Sequence, residues 1–149
     1  MKKLESGRSM VEMLGVLAII GVLSIGGIAG YVLSMNRYRA NQGIDLANKY
    51  ASVIYSSYQT YKAMHGNDTG WTAPTFDAAK LGSKPENFDF TYTVGIETYS
   101  SISDRVTVTI TFPNQDICKA AGKITADNIT CTKVENKEQY QANFVFTMN

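Results

Sequence analysis

The stretch MLGVLAIIGVLSIGGIAGYVL, residues 13–33, contains no charged side chain and decides the fold of this chain. At about 1.5 Å per residue, a helix over this stretch extends for about 31 Å, and the hydrocarbon core of a bilayer is about 30 Å thick. We therefore predict that the segment forms a membrane-spanning helix.

Glycine is unusually frequent inside this apolar stretch, at positions 15, 21, 26, 27 and 30. Each glycine costs about 1 kcal/mol relative to alanine in the interior of a soluble helix. Gly26 and Gly30 form a small-xxx-small pair, a spacing that lets two helices approach closely. We predict that Gly26, Gly27 and Gly30 form a helix-packing surface; the alternative is the general enrichment of glycine in membrane helices.

The helical period continues after the apolar stretch. Apolar residues recur at spacings of three and four, which predicts an amphipathic helix with a single apolar stripe, formed by Ile44, Ala47, Ala51, Ile54, Tyr58 and Tyr61. No proline interrupts the chain before Pro74. We predict one helix from about residue 10 to about residue 64, ended by Gly66.

The remaining sequence alternates with a period of two, which is typical of strands with one buried face. Strands are predicted in residues 88–94, 105–112, 128–134 and 140–148, with a short helix over residues 113–123 capped by Asn114. The apolar face of such a sheet must be covered, and the stripe on the second half of the long helix is available to cover it. The predicted fold class is α+β, with a long N-terminal helix packed through its second half against a C-terminal antiparallel β-sheet.

Composition argues against several functional classes. The formal net charge is +1, which gives no electrostatic case for specific binding to nucleic acid. His65 is the only histidine, and no nucleophile–base pair or phosphate-binding glycine loop is suggested outside the apolar helix. We predict no enzyme activity, no cofactor and no metal site.

The two cysteines, Cys118 and Cys131, lie far from the apolar stretch and fit no zinc-binding pattern. An even pair in a domain outside the cytoplasm favours a disulfide, and two separate buried thiols are the alternative. The orientation follows the basic residues: Lys2, Lys3 and Arg8 precede the stretch and residues 37 and 39 follow it, a slight bias towards a cytoplasmic N-terminus.

The first residues resemble a known precursor. Lys2 and Lys3, Gly7, then Glu12 five positions later and about twenty apolar residues resemble the N-terminus of type IV pilins and type II secretion pseudopilins. The stretch FPNQDICKAAG with Cys131 resembles the disulfide-closed C-terminal region of many pilins, including the type IVb group. The short leader is similar to type IVa and the absence of proline from the helix to type IVb, so both subgroups stay open. The resemblance implies a leader peptide (residues 1–7), a transmembrane and assembly half of the helix (8–35) and a globular pilin head (36–149).

The resemblance also implies a function. A prepilin peptidase would cut after Gly7, and Arg8 would become the methylated N-terminus. The subunit would cross the bacterial inner membrane once, with its head outside the cytoplasm, and then join a pilus or pseudopilus fibre. Its partners would be copies of itself or related pilins, the peptidase, the inner-membrane assembly machinery and, before assembly, the membrane.

Glu12 has two interpretations. In the family, the acidic residue at this position pairs with the N-terminal amine of a neighbouring subunit. Ser9 and Glu12 also match the capping-box pattern, in which Glu12 closes the start of its own helix. For the whole chain, the alternative function is a signal-anchored or secreted extracytoplasmic binding domain that does not polymerise. Pilus and pseudopilus, and major and minor subunit, fit the sequence equally.

Overall fold

A computed structural model describes residues 5–66, 70–92, 97–99, 103–125 and 129–148. Helix α1 spans Glu5–His65 without interruption and begins about five residues before the predicted start. The prediction was too short because no proline lies in this region and a single glycine lowers helix propensity by only about 1 kcal/mol. At the other end, Gly66 adopts a φ of 73° and its amide donates to the carbonyl of Lys62 at 2.8 Å, which confirms the predicted stop.

The chain forms two compact units, Met1–Met35 and Asn36–Asn149, and α1 contributes to both. In the first unit, the large apolar side chains from Met10 to Leu33 are all exposed, by 51% to 73%. In the second unit, α1 supplies one side of a hydrophobic core, through Ala40, Ala47, Tyr50, Ala51, Ile54 and Tyr58. This confirms the predicted stripe at Ala47, Ala51, Ile54 and Tyr58, whereas Ile44 and Tyr61 are half-buried at its margins.

The other side of this core is an antiparallel sheet. Its strands are β1 (Asp89–Tyr92), β2 (Glu97–Tyr99), β3 (Ser103–Phe112), β4 (Thr132–Lys133) and β5 (Tyr140–Met148). The spatial order is β1-β3-β5-β4, and β2 also pairs with β3. Strand β3 is central and pairs with β5 along nine positions, from Asp104 opposite Met148 to Phe112 opposite Tyr140. The predicted α+β architecture is confirmed.

Two strands differ in their bounds from the prediction. Strand β1 is described over Asp89–Tyr92 and begins one residue after the predicted start, while the predicted positions 93 and 94 lie outside the described residues. Strand β4 covers only Thr132–Lys133 of the predicted residues 128–134, of which position 128 lies outside the described residues. It ends at Lys133 because the turn that leads to β5 follows directly, with the Val134 amide donating to the Gln139 carbonyl at 2.9 Å. The three-residue strand β2 was not predicted, since so short a stretch carries almost no period.

The prediction of one buried face is wrong for β3. Thr109 and Thr111 were expected to face solvent, but they are only 4% and 6% exposed. Strand β3 is flanked on both sides, so neighbouring side chains cover its second face as well. The Thr109 hydroxyl donates to Oδ1 of Asn143 at 2.8 Å, and Nε2 of Gln141 donates to Oγ1 of Thr111 at 3.3 Å.

Helix α2 spans Gln115–Thr125, two residues later than predicted at both ends. Oδ1 of Asn114 accepts a hydrogen bond from the Ile117 amide at 2.9 Å, which confirms the predicted cap. Ile117, Cys118 and Ala121 are buried and belong to the same core as the sheet. The head therefore has a single core, shared by α1, α2 and one face of the sheet.

Candidate functional site

The predicted cleavage and assembly residues lie in the first turns of α1. Gly7 and Arg8 fall within the helical backbone that begins at Glu5, but the side chains before Met10 lie outside the described part of the chain. Cleavage after Gly7 and methylation of Arg8 therefore stay predictions. Since α1 of the full-length chain begins at Glu5, Ser9 is not at its N-cap, and the capping-box interpretation does not apply to this form.

Glu12 is exposed and stands at the edge of the apolar surface. From residue 13 to residue 36 no other charged side chain follows it. A carboxylate beside so much apolar surface is placed in an interface whenever that surface is covered by lipid or protein. The structure therefore shows Glu12 at this edge of the apolar surface, and its role in assembly stays a prediction.

The apolar surface surrounds α1 on every side. Exposed side chains occur at consecutive positions such as 13 and 14, 16 and 17, 19 and 20, and 22 and 23, and consecutive residues differ by about 100° around a helix. The polar hydroxyl of Ser24 is satisfied within the helix by donating to the Ile20 carbonyl at 2.7 Å. Among the described residues, α1 is the one helix long and apolar enough to cross a membrane, and its apolar part lies near the N-terminus.

The predicted glycine surface lies within this segment. A Cβ built on Gly26, Gly27 or Gly30 would meet no other atom within 4 Å, and α1 continues unbroken through all three. No packing against the described residues therefore requires glycine at these positions. They leave a shallow, smooth strip of backbone on a helix whose surface is otherwise crowded with large side chains.

Sequence reasoning overlooked Gly43, a glycine with very tight surroundings. A Cβ on this residue would lie 2.7 Å from Cε1 of Phe88 and 3.6 Å from Cε1 of Phe112. Gly43 allows α1 to approach the aromatic face of the sheet closely. A signal was available, because small residues recur at Ala40, Gly43 and Ala47, on the face that the stripe predicts to be buried.

The predicted disulfide is present. The sulfur atoms of Cys118 and Cys131 are 2.08 Å apart and the Cα atoms 6.1 Å apart, so the alternative of two separate thiols is wrong. Cys118 is fully buried in α2, whereas Cys131 is half-buried immediately before β4. The bond ties α2 to the chain that leads into the last two strands, which is a structural role.

The head also contains an aromatic groove of about 460 Å³, lined by Tyr50, Trp71, Pro74, Phe76 and Phe90 among others. The Tyr50 hydroxyl donates to the Pro74 carbonyl at 2.8 Å, and burial raises the pKa of Tyr50. Of the described residues that line this groove, none is a carboxylate, a histidine or a cysteine. Within the described residues, no group of three or more His, Cys, Asp or Glu is placed to hold a metal ion.

Comparison with known proteins does not assign a function to this chain. No protein-family model, no curated protein and no solved structure matches the chain. The resemblance of residues 2–33 to pilin precursors is therefore a hypothesis, to be judged by what the exposed apolar segment requires.

Proposed function

We propose that this chain is a structural subunit of a type IV pilus or a type II secretion pseudopilus. It is inserted in the bacterial inner membrane as a precursor, cut after Gly7 and polymerised through the apolar part of α1. Its head remains outside the cytoplasm and forms the surface of the fibre. The role is structural, with no catalytic step.

The observation that carries this proposal is the apolar surface of residues 10–33, which is exposed on all sides of α1. Burying one large aliphatic side chain contributes about 1.5–3 kcal/mol, so a surface of this size demands a nonaqueous environment. Lipid supplies that environment before assembly. In the fibre, the corresponding helices of neighbouring copies supply it.

The glycines favour polymerisation over simple anchoring. An anchor needs hydrophobicity alone, and large aliphatic residues would serve it better than Gly26, Gly27 and Gly30. A helix bundle, in contrast, gains from positions where two backbones can approach closely. Since no neighbour among the residues that the structure describes occupies the space beside these glycines, they suit contact with another subunit.

Glu12 would set the register of the subunits. A charge buried among apolar helices is destabilising unless an opposite charge meets it. The α-amine created at Arg8 by cleavage is cationic when protonated, and a neighbour in the correct register would bring it to Glu12. After residues 1–7 are removed, the chain has 12 basic and 12 acidic side chains, so copies pack without strong net repulsion.

The mature N-terminus tests the proposal. Mass spectrometry of N-terminal peptides from the exported protein should show a chain that begins at Arg8, with or without a methyl group on its amine. A chain that begins at Gly30 would establish the secreted alternative, and an uncut Met1 would establish the signal-anchored one. Gly7→Val should leave the precursor uncut, whereas the matched variant Gly15→Val, with the same change deeper in α1, should be cut normally.

A further inference from the structure

Two arginines follow the charge-free segment directly. Arg37 and Arg39 are both exposed, and neither forms an ion pair with any other residue that the structure describes. Asp45, the next acidic residue along α1, is engaged with Lys49 at 2.6 Å. The two guanidinium groups are therefore available to an external anion.

The helix geometry places the side chains of Arg37 and Arg39 on different sides of α1, just after the charge-free segment. Ala40 is fully buried and marks the face of α1 that packs on the head core. With about 100° between consecutive residues, Arg37 lies about 60° to one side of Ala40 and Arg39 about 100° to the other. Tyr38 lies near the opposite face, and its side chain is 57% exposed. Together these three residues form a collar around the part of α1 that the head leaves open.

The collar has the chemistry of a phospholipid headgroup site. A guanidinium group binds phosphate oxygens through two parallel hydrogen bonds. Tyrosine is enriched at membrane–water interfaces, where its ring contacts acyl chains and its hydroxyl contacts water. Nε2 of Gln42 donates to the Tyr38 hydroxyl at 3.0 Å, which orients the phenol.

The position of the collar is also unusual for a single-pass protein. Basic residues close to a span are enriched on the cytoplasmic side, yet in the proposed topology Arg37 and Arg39 lie on the other side. A phosphate ligand there offsets the cost of placing two positive charges on the translocated flank. The charge-free segment of residues 13–36, about 36 Å long as a helix, puts the collar at headgroup depth in a bilayer.

We propose that Arg37, Tyr38 and Arg39 bind the phosphate groups of anionic phospholipids in the leaflet that adjoins the head. This collar rests on the proposed membrane insertion and adds a lipid partner to it. The collar holds the base of the head at the membrane surface, and the lipid must be released when the subunit leaves the bilayer.

Lipid selectivity tests the collar in the full-length chain. We would reconstitute the protein in phosphatidylcholine vesicles and measure, by electron spin resonance, how strongly it immobilises spin-labelled phosphatidylglycerol relative to spin-labelled phosphatidylcholine. In the variant carrying Arg37→Gln and Arg39→Gln, the preference for phosphatidylglycerol should fall about thirtyfold, because each basic residue at an anionic surface contributes about fivefold. Arg37→Lys with Arg39→Lys should keep most of the preference, because the charge is retained.

The control removes the same charge elsewhere. Lys119→Gln with Lys123→Gln changes two exposed lysines of α2 and should leave the lipid preference unchanged. An equal preference in the wild type and in the Arg37→Gln, Arg39→Gln variant would overturn the collar. If adding inorganic phosphate abolished the preference, the site would be one for free phosphate. Absence of any immobilised lipid would overturn membrane insertion itself and the collar with it.

Discussion

A Cβ placed on Gly30 would meet no atom within 4 Å, whereas a Cβ placed on Gly43 would lie 2.7 Å from Cε1 of Phe88. Both glycines belong to α1 and share its backbone conformation. Gly43 is fixed by a neighbour inside the chain, because the aromatic face of the sheet comes too close for a side chain. Gly30 has no such neighbour among the described residues. In the proposed fibre, the neighbour that requires a glycine at this position would be a helix of another copy.

The same contrast extends to the two units as a whole. Residues 36–65 of α1 find their apolar partners in the sheet and in α2, and the stability of the head depends on those contacts. The large apolar side chains of residues 10–33 are exposed and find no such partners within the described chain. Substitutions in the first unit should therefore change insertion and assembly, and substitutions in the second should change unfolding. Variants at Glu12, at the two cysteines and at Gly30 and Gly43 test this separation between assembly in the first unit and stability in the second.

The largest effect is expected at Glu12. Removing one partner of a buried ion pair costs about 3–5 kcal/mol, so Glu12→Ala should weaken subunit contact by a factor of a few hundred to a few thousand. The denaturation midpoint of the head should not change, because the head core lies in residues 36–149. Fibre yield after shearing or cross-linking measures the first effect, and urea unfolding followed by Trp71 fluorescence measures the second.

The matched control for Glu12 is Asp45→Ala, which removes a carboxylate from the same helix. Asp45 is exposed and pairs with Lys49 at i,i+4, a contact that stabilises a helix by only about 0.3–0.5 kcal/mol. Fibre yield from this variant should be close to normal. Normal yield from Glu12→Ala as well would leave Glu12 without a role in assembly.

The next effect concerns the disulfide and should be confined to the head. Replacing Cys118 and Cys131 together by alanine opens a loop whose ends are 13 residues apart. In the chain-entropy model a loop of this size stabilises the fold by about 3 kcal/mol. The urea midpoint of the head should fall accordingly, while recovery of the chain in the membrane fraction should stay the same. A loss from the membrane fraction without a loss of head stability would contradict the separation of the two units.

Gly43→Ala and Gly30→Ala form a matched pair in one helix. The first should destabilise the head by about 1–3 kcal/mol, because the new methyl group overlaps Phe88. The second should leave head stability unchanged and favour the helix by up to about 1 kcal/mol in the unassembled subunit. Fibre yield should fall for Gly30→Ala, because the added methyl separates neighbouring helices. Equal head stabilities for the two variants would show that the close approach at Gly43 is not required.

The smallest effect is expected at Tyr50. Tyr50→Phe removes the hydrogen bond to the Pro74 carbonyl and should cost about 1 kcal/mol at neutral pH. Burial raises the pKa of Tyr50 in the folded head, so the folded state holds this proton more tightly than the unfolded state does. The contribution of Tyr50 is thus complete below its unfolded pKa of about 10 and declines as the pH rises above that value.

The difference in urea midpoint between wild type and Tyr50→Phe, followed as a function of pH, measures this contribution of Tyr50. The other tyrosines titrate in both proteins, so their effect cancels in the difference. The gap between their urea midpoints should narrow above about pH 10. A gap that stays constant up to pH 11 would mean that ionisation of Tyr50 does not affect folding.

Features with a local cause were predictable from the sequence. The buried stripe of α1, the stop at Gly66 and the cap at Asn114 each depend on a few neighbouring residues. The burial of Thr109 and Thr111 was not predictable, because it results from the central place of β3, and strand order depends on contacts distant in sequence. The tight approach at Gly43 likewise depends on Phe88, which belongs to another part of the chain.

The candidate site is a different case. The apolar segment was recognised from residues 13–33 alone, and the structure confirms a helix that is long and apolar enough to cross a membrane. The roles proposed for Gly7, Arg8 and Glu12 would depend on a peptidase and on a second subunit. A single chain contains neither, so these residues can be placed by the fold but not assigned by it.

The place of β5 has a consequence for the order of folding. Strand β3 pairs with β5 along nine positions, but α2 and β4 lie between these two strands in the sequence and are synthesised before β5. During synthesis, β3 cannot pair with β5 until residues 140–148 have been made, so Val106, Val108 and Ile110 lack this neighbouring strand until then. Cys118 and Cys131 are both synthesised earlier. Pairing between strands so distant in sequence is slow to nucleate. Folding of the head should therefore be limited by the arrival of its last strand, with the oxidised loop formed first and the edge of β3 open to a chaperone in the interval.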